Sequence, residues 1–252
     1  MLVDIHNHIL PGLDDGPESL KEALLLAENA VANGITHVIA TPHHLSEKYR
    51  NSALEVKEAV AGFYRELSQR NIHLKILPGQ EIHLSANILE ELEKDPFTLA
   101  NSGKYLLIEL PNSYIPANTL DVIYKIQLKG YTPIIVHPER NKILRKNKQL
   151  LYEYVCKGVL IQITASSLLG LNGRSFRKYT KELIKHNLVH FISSDAHHYI
   201  KRPFQLTKAF ESIKRDFSES HVNYYCENAN HIVYGTEIQP LLPIGFKNYY
   251  YL

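Results

Sequence analysis

Seven short apolar runs alternate with segments of helical periodicity along this chain, and this alternation restricts the fold more than any other feature of the sequence. The runs are rich in β-branched residues and almost continuously apolar, as is typical of parallel strands buried on both faces. Helical patterns cover 17–34, 118–130 and 176–187, and the first two end at Gly34 and Gly130. The sequence therefore predicts an α/β fold, and seven strand–helix units favour a barrel over an open sheet. The predicted strands are residues 2–6, 37–42, 74–79, 104–110, 132–137, 159–164 and 189–193.

Length and composition indicate one globular domain. The chain has 252 residues, 44 % of them hydrophobic and 21 % charged, with no internal repeat and no Gly-, Ser- or Pro-rich linker. We therefore expect a single domain over residues 1–252. A net charge of +2 gives no sign of a nucleic-acid-binding surface, and no apolar run approaches the ~18 residues of a membrane helix. With no visible signal peptide and two cysteines, we expect a cytoplasmic protein that is not an integral membrane protein.

Metal-ligating residue types follow six of the seven predicted strands. The carboxyl ends of the strands in an α/β barrel meet at one rim, where the active site lies, so these side chains are expected to converge. Residues two apart in a strand share a face, which directs His6 with His8, and Asp195 with His197, the same way. Imidazole and carboxylate together suit divalent transition metals, and a carboxylate can bridge two ions. The strand-end candidates are His6, His8, His43, Glu81, Glu109, His137, Asp195 and His197.

Several other polar residues near these positions have simpler explanations. His44 and His198 point away from their neighbouring candidates if the backbone is extended, so we place both outside the metal shell. Asp14 and Asp15 are suited to capping the helix predicted to begin near Pro17, and we expect one of them to lie close enough to the rim to bind metal as well. His37 is expected only to start a strand. The remaining histidines are expected to be hydrogen-bonded structural residues; they are His73, His83, His186, His190, His221 and His231.

Six motifs follow one another along the chain: DIHNHILPGLDDG, ATPHH, GQEIH, LIEL, VHPER and SSDAHH. In this order they resemble the PHP (polymerase and histidinol phosphatase) superfamily. More narrowly, they are similar to its bacterial protein-tyrosine phosphatases of capsular and exopolysaccharide synthesis, the CpsB/CapC/YwqE type. The resemblance runs from residue 1 to about 235 and implies a distorted (β/α)7 TIM-like barrel, the PHP fold, with its active site at the C-terminal ends of the strands. Glu109 favours the narrower assignment, because other PHP branches tend to have histidine there.

The resemblance also implies a cluster of three divalent metal ions. Manganese is the expected metal, with iron, zinc and magnesium as alternatives. Alignment of the DDG motif on the family pattern assigns Asp15, rather than Asp14, to the cluster. Carried over motif by motif, the ligands are His6, His8, Glu81 and Asp195 for the first ion, Glu81, Glu109 and His137 for the second, and Asp15, His43 and His197 for the third.

The activity implied by the resemblance is hydrolysis of phosphotyrosine in proteins through a metal-activated hydroxide. Arg140 and Arg202 follow two of the ligand motifs and are expected to bind the phosphate, since guanidinium binds phosphate through two parallel bonds. The alternative for each arginine is a surface ion pair, which Arg140 would form with Glu139. His43, His197 or a metal-bound water is expected to protonate the leaving group. The expected substrate is the tyrosine-phosphorylated cytoplasmic tail of a bacterial tyrosine kinase.

Two other functions remain open from the sequence. One is a small-molecule phosphoesterase of the same fold, such as a histidinol-phosphate phosphatase, and the other is a regulatory metal-binding protein with a degenerate site. A cysteine-dependent phosphatase is excluded, because neither Cys156 nor Cys226 begins the C-x5-R loop that such enzymes need. Cys156 is predicted to end a buried helix as an inert thiol. The tyrosines at 249–251 are predicted to form a packing tail, with a phosphorylation target or product mimic as the alternative.

Overall fold

Parallel strands alternate with helices along the whole fold, in a computed structural model that describes residues 1–246. These residues form nine strands and ten α-helices. Each of the seven predicted strands is present with bounds within two residues of the prediction, and two further short strands lie outside the predicted ranges. The strands are β1 (Val3–Asn7), β2 (His37–Ala40), β3 (His43–His44), β4 (Lys75–Pro78), β5 (Glu81–His83), β6 (Tyr105–Glu109), β7 (Thr132–Val136), β8 (Leu160–Thr164) and β9 (Phe191–Ser193). The helices are α1 (Leu20–Ala32), α2 (Ala53–Gln69), α3 (Ile88–Lys94), α4 (Thr119–Leu128), α5 (Lys142–Lys146), α6 (Lys148–Cys156), α7 (Ala165–Leu169), α8 (Arg174–Lys185), α9 (Leu206–Asp216) and α10 (Glu219–Tyr234).

The strands are arranged in two parallel sheets, β1-β2-β4 and β3-β5-β6-β7-β8-β9. The two short strands β3 and β5 were not predicted, because each begins just beyond the end of a predicted strand. Pro42, which has no N–H for a ladder, separates β2 from β3. Gly79 and Gln80 separate β4 from β5, and a Cβ atom at Gly79 would be 2.8 Å from Ile39 Cγ2 and 2.9 Å from Leu99 Cδ2. Close packing therefore favours glycine at the position between these two strands.

The segment after β9 lies beside β1 and joins the two sheets at their carboxyl ends. Asp195 N donates a hydrogen bond to His6 O at 2.9 Å, and His8 N donates to Ala196 O at 2.8 Å. After Asp4, β1 contains one extra residue relative to β2, a bulge of the kind that redirects side chains beside active sites. The predicted distorted barrel is confirmed, and over residues 1–246 it is built from two sheets instead of one continuous ladder.

The strands are buried on both faces, as their continuous apolar character predicts. In β6, Tyr105 and Leu107 belong to a smaller apolar cluster that includes residues of α10. Their neighbours Leu106 and Ile108 belong to the larger cluster, which packs the strands against the surrounding helices. Since both faces are covered mainly by apolar groups, most of the polar chemistry of the strands lies at their ends, with Asp4 of β1 and Gln162 of β8 as buried exceptions.

The first helix begins later than predicted. It starts at Leu20 instead of Pro17, and Ser19 is its N-cap, with a side chain that accepts a backbone hydrogen bond from the first turn. The prediction that Asp14 or Asp15 caps this helix is therefore wrong, and both carboxylates are available to the strand ends. The other two predicted helices are present as α4 and α8, within two residues of their predicted bounds.

Cys156 is exposed at the end of α6, so the prediction of a buried thiol is wrong. The helix buries Leu151, Tyr154 and Val155, and the next position turns the cysteine away from that face. The tyrosines at 249–251 lie outside the described residues. Across residues 1–246, no helix combines the length and the apolar composition needed to cross a membrane.

Candidate metal centre

The carboxyl ends of the strands bring the nine predicted ligand residues together. Contacts of 4.0 Å or less between side-chain nitrogen and oxygen atoms connect all nine into one cluster. The cluster is mostly buried, and Asp15, at its outer edge, is its most exposed member. Its members are His6 of β1, His8 and Asp15 after β1, His43 of β3, Glu81 of β5, Glu109 of β6, His137 after β7, and Asp195 and His197 after β9.

The innermost part of the cluster has two imidazoles facing two carboxylates. His6 Nε2 lies 3.3 Å from Glu81 Oε2 and 3.5 Å from Asp195 Oδ1. His8 Nε2 lies 3.3 and 3.4 Å from the same two oxygens. These four residues are the set predicted for the first ion, and the ligand atoms of three of them, His6, His8 and Glu81, lie within 4.8 Å of one another.

Glu81 extends the cluster toward β6 and β7. Its Oε1 atom lies 2.7 Å from His137 Nε2, and its Oε2 atom lies 3.0 Å from His43 Nδ1. His43 Nδ1 is also 4.0 Å from Glu109 Oε2. The structure thus brings Glu81, Glu109 and His137 to one side of the cluster, as assigned to the second ion. It adds His43 to this group, which the sequence assigns only to the third ion.

The outer part of the cluster is formed around Asp15. Its Oδ1 atom lies 3.4 Å from His43 Nε2 and 3.3 Å from His197 Nε2. His8 also has a ligand atom within 4.8 Å of this group. The three residues predicted for the third ion are therefore adjacent, and both ring nitrogens of His43 face carboxylates.

Four buried ligand atoms of the cluster have no hydrogen-bond partner. They belong to the rings of three histidines and to the carboxylate between them, and each faces the others instead of a donor or acceptor of the surrounding protein. Leaving such polar atoms unpaired in a protein interior costs about 1–3 kcal/mol each, whereas a divalent cation would engage all of them. The residues therefore fit a metal cluster. The four atoms are His6 Nε2, His8 Nε2, His43 Nδ1 and Glu81 Oε2.

Neighbouring side chains fix the orientation of the two inner imidazoles. Gln162 Oε1 lies 3.0 Å from His6 Nδ1, and Asp14 Oδ2 lies 2.6 Å from His8 Nδ1. Hydrogen bonding at Nδ1 leaves Nε2 free to bind metal. The sequence analysis did not assign these roles, although a glutamine inside an otherwise apolar strand was a detectable signal for Gln162.

The charges of the cluster stabilise one another in the absence of metal. Burial alone would lower the pKa of His43, but the facing carboxylates of Asp15 and Glu81 outweigh burial and raise it to about 10. Burial acts to raise the pKa of Asp195, yet the positive charge of Arg140 and the nearby histidines hold it well below its usual value. The protein therefore presents ionised carboxylates to this site at neutral pH.

Two predicted ligands have a left-handed backbone. His137 has φ 31° and Asp195 has φ 53°, a conformation that costs about 1–3 kcal/mol for residues other than glycine. The turn at His137 begins a 3-10 turn over Pro138–Arg140, which places Arg140 beside the cluster. Such strain is concentrated at functional sites, where the surrounding structure maintains it.

Both predicted phosphate-binding arginines contact Asp195. Arg140 Nη2 donates a hydrogen bond to Asp195 Oδ2, and Arg202 Nη2 donates to the same oxygen at 2.7 Å. Glu139 points elsewhere, because its buried Oε1 accepts hydrogen bonds from the N–H and the hydroxyl of Thr164. The alternative pair between Arg140 and Glu139 is therefore not formed, and two guanidinium groups face the metal-ligand cluster.

The comparison with known proteins gives the family. The sequence model described as "Capsular polysaccharide synthesis, CpsB/CapC" matches residues 2–234. The chain belongs to the CpsB/CapC family. It is 40 % identical over 242 residues to the putative tyrosine-protein phosphatase CapC of Staphylococcus aureus, covering 96 % of this chain and 95 % of CapC. It is 38 % identical over 245 residues to the tyrosine-protein phosphatase YwqE of Bacillus subtilis strain 168, covering 96 % of each chain.

Solved structures agree with this assignment. A chain from the crystal structures of YwqE of Bacillus subtilis and CpsB of Streptococcus pneumoniae, described as unique metal-dependent tyrosine phosphatases, has a TM-score of 0.94 and 37 % identity. That match covers 98 % of this chain and 100 % of the other. Histidinol phosphate phosphatase of Lactococcus lactis has a TM-score of 0.55 and 13 % identity, covering 97 % of each chain. This second likeness shows a shared fold only.

An open cavity of about 400 Å³ adjoins the cluster of this CpsB/CapC family member. His43 and Glu109 form its inner end, and Tyr49 and Tyr114 also line it. The ring of Tyr49 is stacked on His43, with centroids 6.0 Å apart and an interplanar angle of 10°. His83, expected to be structural, also lines the cavity, and its Nδ1 lies 3.2 Å from Glu109 Oε2. Sequence reasoning missed Tyr49 and Tyr114 because neither lies in a ligand motif. His83 ends the motif GQEIH, but it was assigned a structural role.

The two histidines placed outside the metal shell lie apart from the ligand atoms. His44 is buried against Phe97, with ring centroids 5.2 Å apart. His198 Nδ1 instead accepts a backbone hydrogen bond from Ile200 N at 3.0 Å. Neither residue belongs to a group of ligand atoms that could hold an ion in the described part of the chain.

Proposed function

We propose that this chain is a metal-dependent phosphotyrosine-protein phosphatase with a single catalytic domain over residues 1–252. The observation that carries the proposal is the buried group of imidazole and carboxylate atoms that face one another without partners. The names of the relatives CapC and YwqE, both tyrosine-protein phosphatases with near-complete coverage, support the same activity. The alternative of histidinol-phosphate hydrolysis has only a fold-level likeness in its favour.

Three divalent ions, preferably manganese, would be held by the nine clustered residues. The inner ion would be bound by His6, His8 and their facing carboxylates, and Glu81 would be shared with the second ion. Such ions, when bound, neutralise phosphate charge and lower the pKa of water toward neutrality. The buried position of the ligands supports this role, because electrostatic stabilisation is stronger where bulk water is excluded.

Arg140 and Arg202 bind the phosphate group of the substrate. Both guanidinium groups already converge on one carboxylate oxygen, Asp195 Oδ2, so they are positioned to hold two oxygens of a tetrahedral anion. The two-pronged geometry of guanidinium suits this contact better than the point charge of lysine. The positive charge of Arg140 also holds the pKa of Asp195 well below its usual value, and the other oxygen of Asp195, Oδ1, faces His6 and His8.

The cavity beside the cluster receives the aromatic ring of phosphotyrosine. Tyr49 and Tyr114 supply aromatic walls, and aromatic pairs contribute about 0.5–1.5 kcal/mol beyond the burial of their area. His43 and His197 lie on the outer side of the cluster, next to Asp15. One of these imidazoles, or a water molecule at the site, supplies the proton that the phenolate takes up as it leaves. The substrate is the phosphorylated tail of a tyrosine kinase of capsular or exopolysaccharide synthesis, and the enzyme acts in the cytoplasm.

The decisive experiment combines metal analysis with a phosphatase assay. Purified protein is analysed for bound metal, and its hydrolysis of a phosphotyrosine peptide is measured before chelation, after chelation and after addition of manganese. Histidinol phosphate and a phosphoserine peptide serve as competing substrates. We expect activity that depends on metal and favours phosphotyrosine. Full activity of the metal-free protein, or a higher kcat/KM for histidinol phosphate, would overturn the proposal.

A further inference from the structure

A groove lined by positive charges lies between α5 and α8, outside the metal centre. It has a volume of about 460 Å³. We call it the basic groove and define it by Lys142, Arg145 and Lys146 of α5 and Lys178 of α8. The three lysines are exposed and the arginine is half-buried. The net charge of the whole chain is only +2, so this concentration of cations is a local feature.

The cations of the basic groove have no protein counter-ion. Within residues 1–246, none of the four has a carboxylate oxygen within 4.0 Å, and the one carboxylate that lines the groove, Glu182, already pairs with Lys148. The guanidinium of Arg145 lies 4.6 Å above the ring of Phe176, which holds it in place. The groove therefore presents uncompensated positive charge to whatever enters it.

Helix stability does not explain these charges. Lys142 is the first residue of α5, where the positive end of the helix dipole disfavours cations. Lys142 and Lys146 are also four residues apart on one helix, a spacing at which like charges repel. Arg145 and Lys146 are favoured at the end of α5, whereas Lys178 lies beyond the first turn of α8 and gains nothing from its dipole. An anionic ligand accounts for the positions of Lys142 and Lys178.

The basic groove opens beside the metal centre. Helix α5 follows the turn that contains Arg140 almost directly, and Lys142 N donates a hydrogen bond of 2.9 Å to Asn112 O. Asn112 lines the cavity that adjoins His43 and Glu109. Helix α8 starts shortly after β8, so its first turns also lie at the carboxyl ends of the strands. Lys142 is two residues along the chain from Arg140, so this edge of the groove lies within about 7 Å of that turn.

We infer that the basic groove binds an acidic segment of the polypeptide substrate, a few residues away from the phosphotyrosine. This inference rests on the proposed function. The groove is a channel between two helices, which suits an extended peptide, whereas a membrane would require a flat or protruding surface. Unpaired lysines attract acidic side chains at long range, and this steering raises the rate of association at low ionic strength.

The test uses three substrates and two matched variants of the full, metal-loaded chain. One peptide contains phosphotyrosine flanked by glutamate and aspartate, the second has glutamine and asparagine in their place, and the third substrate is phenyl phosphate. One variant combines Lys142→Glu, Lys146→Glu and Lys178→Glu. The control variant combines Lys75→Glu, Lys157→Glu and Lys185→Glu, which makes the same change of net charge at exposed positions at the opposite end of the barrel.

We expect the parent to favour the acidic peptide by about tenfold or more in kcat/KM at low salt, and the groove variant alone to lose that preference. The preference should fall as sodium chloride is raised. Rates on phenyl phosphate should stay within about twofold in both variants, which also reports that they are folded. Equal kcat/KM for the two peptides, or equal losses in the two variants, would overturn the groove assignment and leave the proposed function intact.

Two further outcomes would overturn either the peptide assignment alone or the proposed function as well. Lysine-dependent binding to vesicles containing phosphatidylserine, without any peptide preference, would assign the surface to a membrane and overturn the peptide assignment. Failure of the metal-loaded parent to hydrolyse either peptide would instead overturn the proposed function, and the groove assignment with it.

Discussion

Asp14 Oδ2 accepts a hydrogen bond from His8 Nδ1 at 2.6 Å, and the same oxygen accepts one from His43 N at 3.0 Å. One carboxylate therefore orients two residues of the metal-ligand cluster without facing the cluster itself. The pKa of Asp14 is lowered, because its contacts with His8 outweigh the effect of burial, which would raise it. Asp14 is thus ionised and positions His8 with Nε2 directed inward.

The Asp14→Asn variant should bind metal more weakly, because the charged partner that orients His8 is lost. Loss of such an outer partner typically costs 10–100-fold in metal affinity. Titration of metal-free protein with manganese, followed by calorimetry, gives the dissociation constants. Asp121→Asn is the matched control, since Asp121 is an exposed aspartate that pairs with Lys125 on a helix surface. Parental affinity in Asp14→Asn would show that the hydrogen bond has no role in metal binding.

Removal of metal should abolish activity and lower the melting temperature together, because a ligand that binds only the folded state stabilises it by mass action. Manganese at about 100 times its dissociation constant would add about 2.7 kcal/mol for one site. Added manganese should raise the melting temperature of His6→Ala much less than that of the parent. His73→Ala, at an exposed position, should behave like the parent. Thermal melts with and without chelator measure the effect. An equal gain in His6→Ala and the parent would remove His6 from the ligand set.

Arg140→Lys should be strongly impaired although the charge is kept, because a lysine cannot make two parallel bonds to phosphate. For Arg140→Lys we expect a loss of about 2–4 kcal/mol in transition-state stabilisation on phenyl phosphate, together with weaker inhibition by inorganic phosphate. Arg202→Lys should change both quantities in the same direction. Arg70→Lys is the control, at a surface pair with Glu66. Metal content is measured in parallel, because both arginines also contact Asp195. If phosphate inhibition were unchanged and only metal were lost, the arginines would act on Asp195 alone.

The sequence predicted the strand ends better than the surroundings of the ligands. Strands and their terminal residues follow from local patterns, so the positions of His6, Glu81 and Asp195 could be read in advance. The short strands β3 and β5 could not, because the close packing at Gly79, just before β5, depends on side chains from distant parts of the chain. The same limit applies to Asp14, whose partners are set by tertiary contacts and not by its place before a helix.

Both cysteines should be dispensable for catalysis, because neither belongs to the metal-ligand cluster. Cys156 is exposed, so Cys156→Ser should change the free energy of unfolding by no more than about 0.5 kcal/mol. Burial raises the pKa of Cys226, which keeps its thiol protonated and unreactive at neutral pH. The double serine variant should hydrolyse phenyl phosphate at the parental rate, and iodoacetamide should not inhibit the parent. Inhibition of the parent but not of the double variant would indicate a functional thiol.

His190 should make the stability of the fold depend on pH, independently of the metal centre. Its ring is fully buried, Nδ1 accepts a hydrogen bond from Ile161 N at 3.0 Å, and Nε2 has no partner. Burial lowers the pKa of His190 to about 3, whereas an unfolded histidine has a pKa of about 6.5. Between these values the unfolded state binds the extra proton. The stabilisation is therefore complete above about pH 6.5 and is lost progressively as the pH falls toward 3, with a limiting slope of about 1.4 kcal/mol per pH unit.

The His190→Asn variant isolates this contribution, since the asparagine Oδ1 can still accept the hydrogen bond from Ile161 N while the side chain no longer titrates. Urea unfolding of the metal-free parent and variant is measured between pH 7.5 and about 4.5, so that protons bound by the metal-ligand histidines contribute equally to both. As the pH falls below about 6, the free energy of unfolding of the parent should decrease by up to about 1.4 kcal/mol per pH unit more than that of the variant. His231→Asn, at a histidine near the end of α10, is the control and should follow the parent. Parallel pH profiles for the parent and His190→Asn would mean that His190 is protonated in the folded state, against the burial that its position imposes.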